Sequence, residues 1–153
     1  MEIRRLTNAE EKRKVTRLIL EALPEWFGIT EAREEYIRDC ADGMFFSACD
    51  GDKPVGFLHL KETGAATVEL HVMGVLKEFH RRGVGRELFH CARRAASEAG
   101  YSFMQVKTVQ MGRYDEYDRT NRFYIAMGFR EFEVFPNLWD EWNPCQIYVM
   151  SLG

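Results

Sequence analysis

The chain has 153 residues, 46% of them hydrophobic and 29% charged, with a net charge of -3. That length suits one domain with a proper core, and the mixture excludes a disordered chain. There is no apolar run of about 18 residues for a membrane span, and the acidic balance argues against a nucleic-acid backbone as partner.

Met1-Glu2-Ile3-Arg4-Arg5 also lacks the apolar core of a signal peptide, so a cytoplasmic location is expected. Cys40, Cys49, Cys91 and Cys145 form no C-x-x-C pair and do not cluster with the histidines. They read as reduced thiols, and no metal is expected.

In chain order, Glu2 to Leu6 reads as a short edge strand. Thr7-Asn8-Ala9-Glu10 has the form of a capping box. Val15, Leu18, Ile19, Ala22 and Leu23 follow at helical spacing until Pro24 stops the helix. Glu25 to Ile29 is a loop carrying Trp26 and Phe27. Thr30 caps a second helix to about Cys40. Met44 to Cys49 and Val55 to Leu60 read as strands joined by a turn containing Asp50-Gly51.

Val68 to Val75 continues as a strand, with Val68, Leu70 and Val72 on one face and Glu69, His71 and Met73 on the other. A helix begins near Gly85, with an apolar stripe of Val84, Leu88, Ala92, Ala95 and Ala99, and Gly100 stops it. Tyr101 to Val109 is a strand in which Phe103, Gln105 and Lys107 alternate with Met104, Val106 and Thr108. Because strand, helix and strand follow one another, it should lie parallel to the Val68 strand. Met111 to Arg119 reads as a polar loop, Thr120 to Met127 as a short helix, and Phe129 to Phe135 and Cys145 to Ser151 as closing strands. The fold class is α/β, one domain over residues 1–153 with a mixed sheet.

The turn His80-Arg81-Arg82-Gly83-Val84-Gly85, followed by Arg86, is where the sequence speaks about function. A strand, a glycine-bearing basic turn and a helix start make an anion site: free amides point outward, glycines permit close approach, and arginines add charge. G-x-G alone is common, and two arginines beside it can be a solvated corner.

This order of elements, with three local matches, resembles the GNAT superfamily of N-acetyltransferases. His80 to Gly85 is similar to the family's signature of Gln or Arg, two residues, Gly, one residue, then Gly or Ala; His80 departs from it. Asn121-Arg122-Phe123-Tyr124-Ile125-Ala126-Met127-Gly128-Phe129 resembles the later motif ending in Tyr-x-x-x-Gly-Phe. Glu69 sits eleven residues before His80, where some members carry a general base.

The resemblance implies a mostly antiparallel sheet of about seven strands, splayed between the fourth and fifth, with about four helices. It implies acetyl-CoA as co-substrate, its phosphates on His80, Arg81, Arg82, Gly83, Val84, Gly85 and Arg86. Its pantetheine arm would lie in the splay, along Met73, Gly74 and Val75 and near Val106 to Thr108. Gly74 fits either a bulge there or a packing glycine. Asn121 would bond the arm or cap a helix.

Transfer to an amine needs a base, for which Glu69 is the candidate, with a solvated strand carboxylate as the plain alternative. His71 could orient Glu69 or replace it. The Val75 amide would steady the oxyanion, and Tyr124 would protonate the departing thiolate.

Trp26, Phe27, Tyr114 and Trp139, with nearby carboxylates, suit a cationic acceptor through cation–π contact. Surface acidity alone would produce the same residues. A small-molecule amine is the expected acceptor, with a protein or peptide amine as the alternative and no nucleic-acid or membrane partner. A non-catalytic acyl-CoA-sensing module is the reading of a different class. Exposed aromatics near Trp139 are consistent with a homodimer.

Overall fold

The computed structural model describes residues 1–153. Its elements are β1 (Glu2–Leu6), α1 (Ala9–Glu21), α2 (Pro24–Phe27), α3 (Thr30–Asp39), β2 (Met44–Asp50), β3 (Lys53–Gly64) and β4 (Thr67–Val75), then a 3-10 turn at Lys77–Phe79. There follow α4 (Val84–Glu98), β5 (Phe103–Val109), α5 (Asp115–Met127), β6 (Arg130–Phe135) and β7 (Cys145–Ser151). One seven-stranded sheet runs in the order β1-β2-β3-β4-β5-β7-β6. β4 and β5 are its parallel pair, and every other neighbouring pair is antiparallel.

Several local expectations are corrected. Asn8, not Thr7, caps α1, its side chain accepting from the Glu11 amide at 3.0 Å. The buried face of α1 is Lys12, Val15, Thr16, Ile19 and Leu20, whereas Leu18 is exposed. Pro24 does end α1, but it also opens α2, because its missing N–H costs nothing at a first helical position. That turn of helix, expected as loop, brings the α-helices to five. Thr30 lies inside α3, with Ile29 at the cap position. α5 starts at Asp115 rather than Thr120, with Asp115, Glu116 and Asp118 in its first turn, where carboxylates meet the positive end of the helix dipole. On α4, Phe89 and Ala96 join Val84, Leu88 and Ala92 in the core, while Ala99 is exposed.

The core is built from Phe45, Phe57, Leu58, Leu60, Leu70, Leu88, Phe89 and Met104, all essentially without exposure. Each such side chain contributes about 1.5–3 kcal/mol of burial. Lys12 is buried among them because its ammonium donates to the carbonyls of Ala41 (3.1 Å) and Gly43 (3.0 Å), fastening α1 to the chain beyond α3.

The strict alternation expected along β4 fails at one residue. His59 of β3 pairs with Val72 and Leu60 pairs with Leu70, so His71 has no counterpart. This is a bulge, and it reverses the facing of everything beyond it. Met73 consequently points at α4, its Cε within 3.6 Å of where a Gly85 side chain would begin. Gly74 points at α1. A Cβ there would lie 2.9 Å from Ile19 Cγ2 and 3.1 Å from Leu23 Cδ1, so Gly74 is a packing glycine and the bulge sits three residues earlier.

Two predictions follow from this packing. Gly74→Ala should overpack the α1 contact and cost about 1–3 kcal/mol, read as a lower urea midpoint with an unchanged slope. The second concerns His59, whose ring donates from Nε2 to the Asp42 carbonyl while Nδ1 is buried without a partner. Burial pushes its imidazole down to about 4. An unfolded histidine titrates near 6.5, so the unfolded chain takes the proton first and stability falls as pH drops from about 6.5 towards 4. The loss should approach about 3 kcal/mol at the acid end. In His59→Gln, urea midpoints across that range should be flatter than in the parent.

Candidate functional site

β4 leaves the sheet at Val75 and reaches α4 through the basic turn. Arg81 has φ 63° and is the one non-glycine residue in the left-handed region; Gly83 follows at φ 78°. Left-handed residues on either side of Arg82 gather backbone N–H groups into a concave nest. Gly83 occupies the cap of α4 without any side-chain cap, and the Glu87 amide closes the first turn on the Gly83 carbonyl at 3.0 Å. The amides of Val84, Gly85 and Arg86 therefore precede the first intrahelical bond. A Cβ at Gly83 would meet nothing within 4 Å, so that glycine is required by its conformation. At Gly85 a Cβ would stand 3.4 Å from the Phe123 ring, so that glycine keeps a narrow floor clear. The Arg82 guanidinium lies 5.2 Å from the centroid of the Phe79 ring.

Below the turn the sheet forks. β4 and β5 pair at Thr67–Phe103, Val68–Met104 and Glu69–Gln105, and there the pairing stops. β4 nevertheless stays with β3 as far as Val75–Gly56, and β5 stays with β7 as far as Val109–Cys145. Leu70 to Val75 and Val106 to Val109 thus present two facing, unpaired strand edges. An extended chain laid between them would find backbone donors and acceptors on both sides.

The mouth of the fork is tied at two places. His80 Nε2 donates to the Val75 carbonyl at 2.6 Å, linking the basic turn to the end of β4. The Trp26 ring meets His80 edge-on at 6.1 Å, and Trp26 Nε1 donates to the Glu116 carbonyl at 3.2 Å. Tyr117 returns a hydroxyl to the Trp26 carbonyl at 2.9 Å, and Glu25 pairs with Lys77. α2 therefore bridges from the turn to α5.

At the crotch of the fork lies Glu69, its side chain only 8% exposed. Lys107 Nζ is 3.3 Å from Oε1, and His71 Nδ1 is 3.6 Å from Oε2. Burial works to raise this carboxyl, but His71 and Lys107 together outweigh it and hold Glu69 below the usual carboxylate range. It is an ionised carboxylate at neutral pH. The Tyr36 ring meets His71 at 5.2 Å, and burial pushes its phenol up to about 12. Tyr124 is buried among Phe123, Phe129 and Tyr148, and burial pushes its hydroxyl well above the ordinary tyrosine value, with Tyr36, Tyr117 and Glu69 adding to the effect. It is a neutral hydroxyl, able to give a proton but not to lose one spontaneously.

Asn121 differs from expectation. It is fully buried, Nδ2 donates to the Val109 carbonyl (2.9 Å) and the Tyr117 carbonyl (2.7 Å), and Oδ1 accepts from the Tyr148 hydroxyl (2.6 Å). Both amide hydrogens are engaged, and the residue lies inside α5 rather than at its cap. Asn121 is a clasp holding α5 to the end of β5 and the middle of β7.

Among the aromatic candidates, Phe27 meets Tyr36, which meets His71, and Tyr114 meets Tyr117 beneath Trp26. Trp139 lies exposed in the β6–β7 connection and shares no ring contact with this group. Tyr36, Asp39 and the Lys107 side chain belong to the site without having been singled out in the sequence. Tyr36 and Asp39 stand one helical turn apart on α3, and Lys107 is two residues beyond Gln105, on the same strand face.

Comparison with known proteins bears on this arrangement. The profile of the acetyltransferase (GNAT) domain matches residues 41–131. A solved protein assigned to the GNAT family, from Desulfovibrio desulfuricans, superposes with a TM-score of 0.84 at 19% identity, covering 99% of each chain. An aminoglycoside 6′-N-acetyltransferase complexed with coenzyme A superposes at 0.76 with 18% identity, covering 100% of this chain and 98% of its own. The ribosomal-protein-S18-alanine N-acetyltransferase of Escherichia coli gives 0.78 at 13% identity, covering 99% and 95%. A search of curated proteins finds no match. Since the profile spans more than half of the 153 residues and falls on the turn and the fork alike, the chain belongs to the GNAT acetyltransferase family.

Proposed function

We propose that residues 1–153 act as one N-acetyltransferase domain that moves an acetyl group from acetyl-CoA to a primary amine of a small molecule, by direct attack within a ternary complex. The observation that carries this is the forked sheet opening beneath an amide-lined basic turn. The nest and free amides at the start of α4, with Arg81, Arg82 and Arg86, suit the phosphates of the cofactor. The unpaired edges of β4 and β5 suit the amides of its pantetheine arm. Coenzyme A is present in one of the fold relatives, which acts on aminoglycosides.

In this reading Glu69 draws a proton from the acceptor ammonium, directly or through water, since a free alkylamine is protonated below a pH of about 10.4. The Val75 amide donates to the oxygen that gains charge as the amine attacks. Tyr124 supplies a proton to the departing sulfur. Phe27, Tyr36 and Trp26 form the acceptor wall, with carboxylates near enough to favour a cation. The reading takes the protein as cytoplasmic; its four cysteines are free thiols, as a reducing compartment keeps them. No helix is long and apolar enough to cross a membrane.

Calorimetry should show acetyl-CoA binding, and a thiol-release assay over amines and peptides should show acceptor-dependent turnover. Binding without release on any acceptor would favour a sensing module instead. Gly85→Val should weaken acetyl-CoA binding by about tenfold or more, roughly 1.4 kcal/mol, because the new side chain crowds Phe123 and screens the amides. Tyr124→Phe should lower kcat by about 100-fold or more and leave acetyl-CoA affinity within about twofold. Glu69→Gln should lower the rate at neutral pH and steepen its rise with pH, as only the free-amine fraction then reacts. Kinetics matching the parent in both variants would overturn the assigned roles.

A further inference from the structure

The chemistry of Glu69 raises a question that its own geometry does not answer. Oε1 faces the Lys107 ammonium at 3.3 Å, and Oε2 faces the His71 ring at 3.6 Å. A carboxylate stabilised in this way accepts a proton readily only if something else takes the proton over. His71 is the residue through which β4 bulges, so its side chain is re-aimed out of the regular pleat. Its two ring nitrogens face two different carboxylates. Nδ1 faces Glu69 Oε2 at 3.6 Å, and Nε2 faces Asp39 Oδ2 at 3.5 Å, from the last residue of α3. Both ring nitrogens are buried and lack any closer partner. Asp39 is one-third exposed, whereas Glu69 is nearly sealed. The other groups around the ring are the Tyr36 ring on α3 at 5.2 Å and the His59 ring on β3 at 5.6 Å, with Lys107 on β5 lying against Glu69.

We propose that Asp39 is a positioning residue for proton removal: it accepts the hydrogen of His71 Nε2, leaving Nδ1 to take over the proton that Glu69 draws from the acceptor amine. This rests on the transferase reading given above. The step balances simply. The protonated Glu69 carboxyl gives its proton to Nδ1, Glu69 returns to a carboxylate, and the ring becomes an imidazolium held between two anions. The ring later yields that proton to water as product leaves. The separations of 3.5 and 3.6 Å are long for hydrogen bonds. Small ring or carboxylate rotations close them, as catalytic contacts often tighten only with substrate present. The third-residue logic is that of a base oriented by a carboxylate on its far nitrogen.

The test pairs a spectroscopic readout with kinetics on the full chain. Nitrogen-15 spectra of the histidine rings should show His71 as the Nε2–H tautomer in the parent and a loss of that preference in Asp39→Asn. The same variant should lower kcat about tenfold or more, with acceptor KM and acetyl-CoA affinity within about twofold. Asp39→Glu should restore part of the loss. An unchanged tautomer in Asp39→Asn overturns the proposal whatever the rate does, and so does a shifted tautomer with parental kcat. Failure of the transferase reading would show separately, as parent protein that releases no thiol with any acceptor, and would remove the proposal's basis.

Discussion

Everything about this site depends on a missing set of hydrogen bonds. β4 and β5 hold together through Glu69 and Gln105 and then part, although each keeps its other neighbour to the end. Two strands in register would ordinarily continue, because an unpaired backbone group away from water is costly. The bulge at His71 lies two residues past the last pair and turns the rest of β4 away. One extra residue therefore opens the fork, aims His71 towards α3 and leaves Glu69 at the crotch.

The surrounding elements secure that opening rather than fill it. His80 holds the end of β4 by the Val75 carbonyl, Asn121 holds the end of β5 by the Val109 carbonyl, and α2 spans between the two sides through Trp26. Asn121, whose place in a family-like motif suggested a ligand contact, has a structural task of its own: three internal hydrogen bonds keep one arm of the fork in place.

What could be read from the sequence was what local chemistry decides. The basic, amide-lined turn needed only its glycines, arginines and the helix that follows. The parallel pairing of β4 with β5 followed from strand, helix and strand in succession, whereas Glu69 was singled out only through the resemblance to family members that carry a base at that place. The bulge could not be read, because register depends on which residue of β3 meets which residue of β4, and a sequence that alternates cleanly from Val68 to Met73 gives no sign of the slip. Asp39, Tyr36 and Lys107 were equally hidden. They come from α3 and β5, and only the folded sheet brings them to His71 and Glu69. Gly74 was legible as a special position, but only the packed Ile19 and Leu23 explain why.

The fork also divides the sheet mechanically. β1 to β4 form one panel and β5, β7 and β6 another, and three residue pairs make the only seam of strand hydrogen bonds between them. Such a structure concentrates its softness along one line, leaving each panel stiff in itself. A molecule extended between the open edges would supply the absent rungs and turn two panels into one. Occupancy of the gap is then a matter of rigidity as well as of affinity, and slow amide exchange along Val106 to Val109 would be its signature.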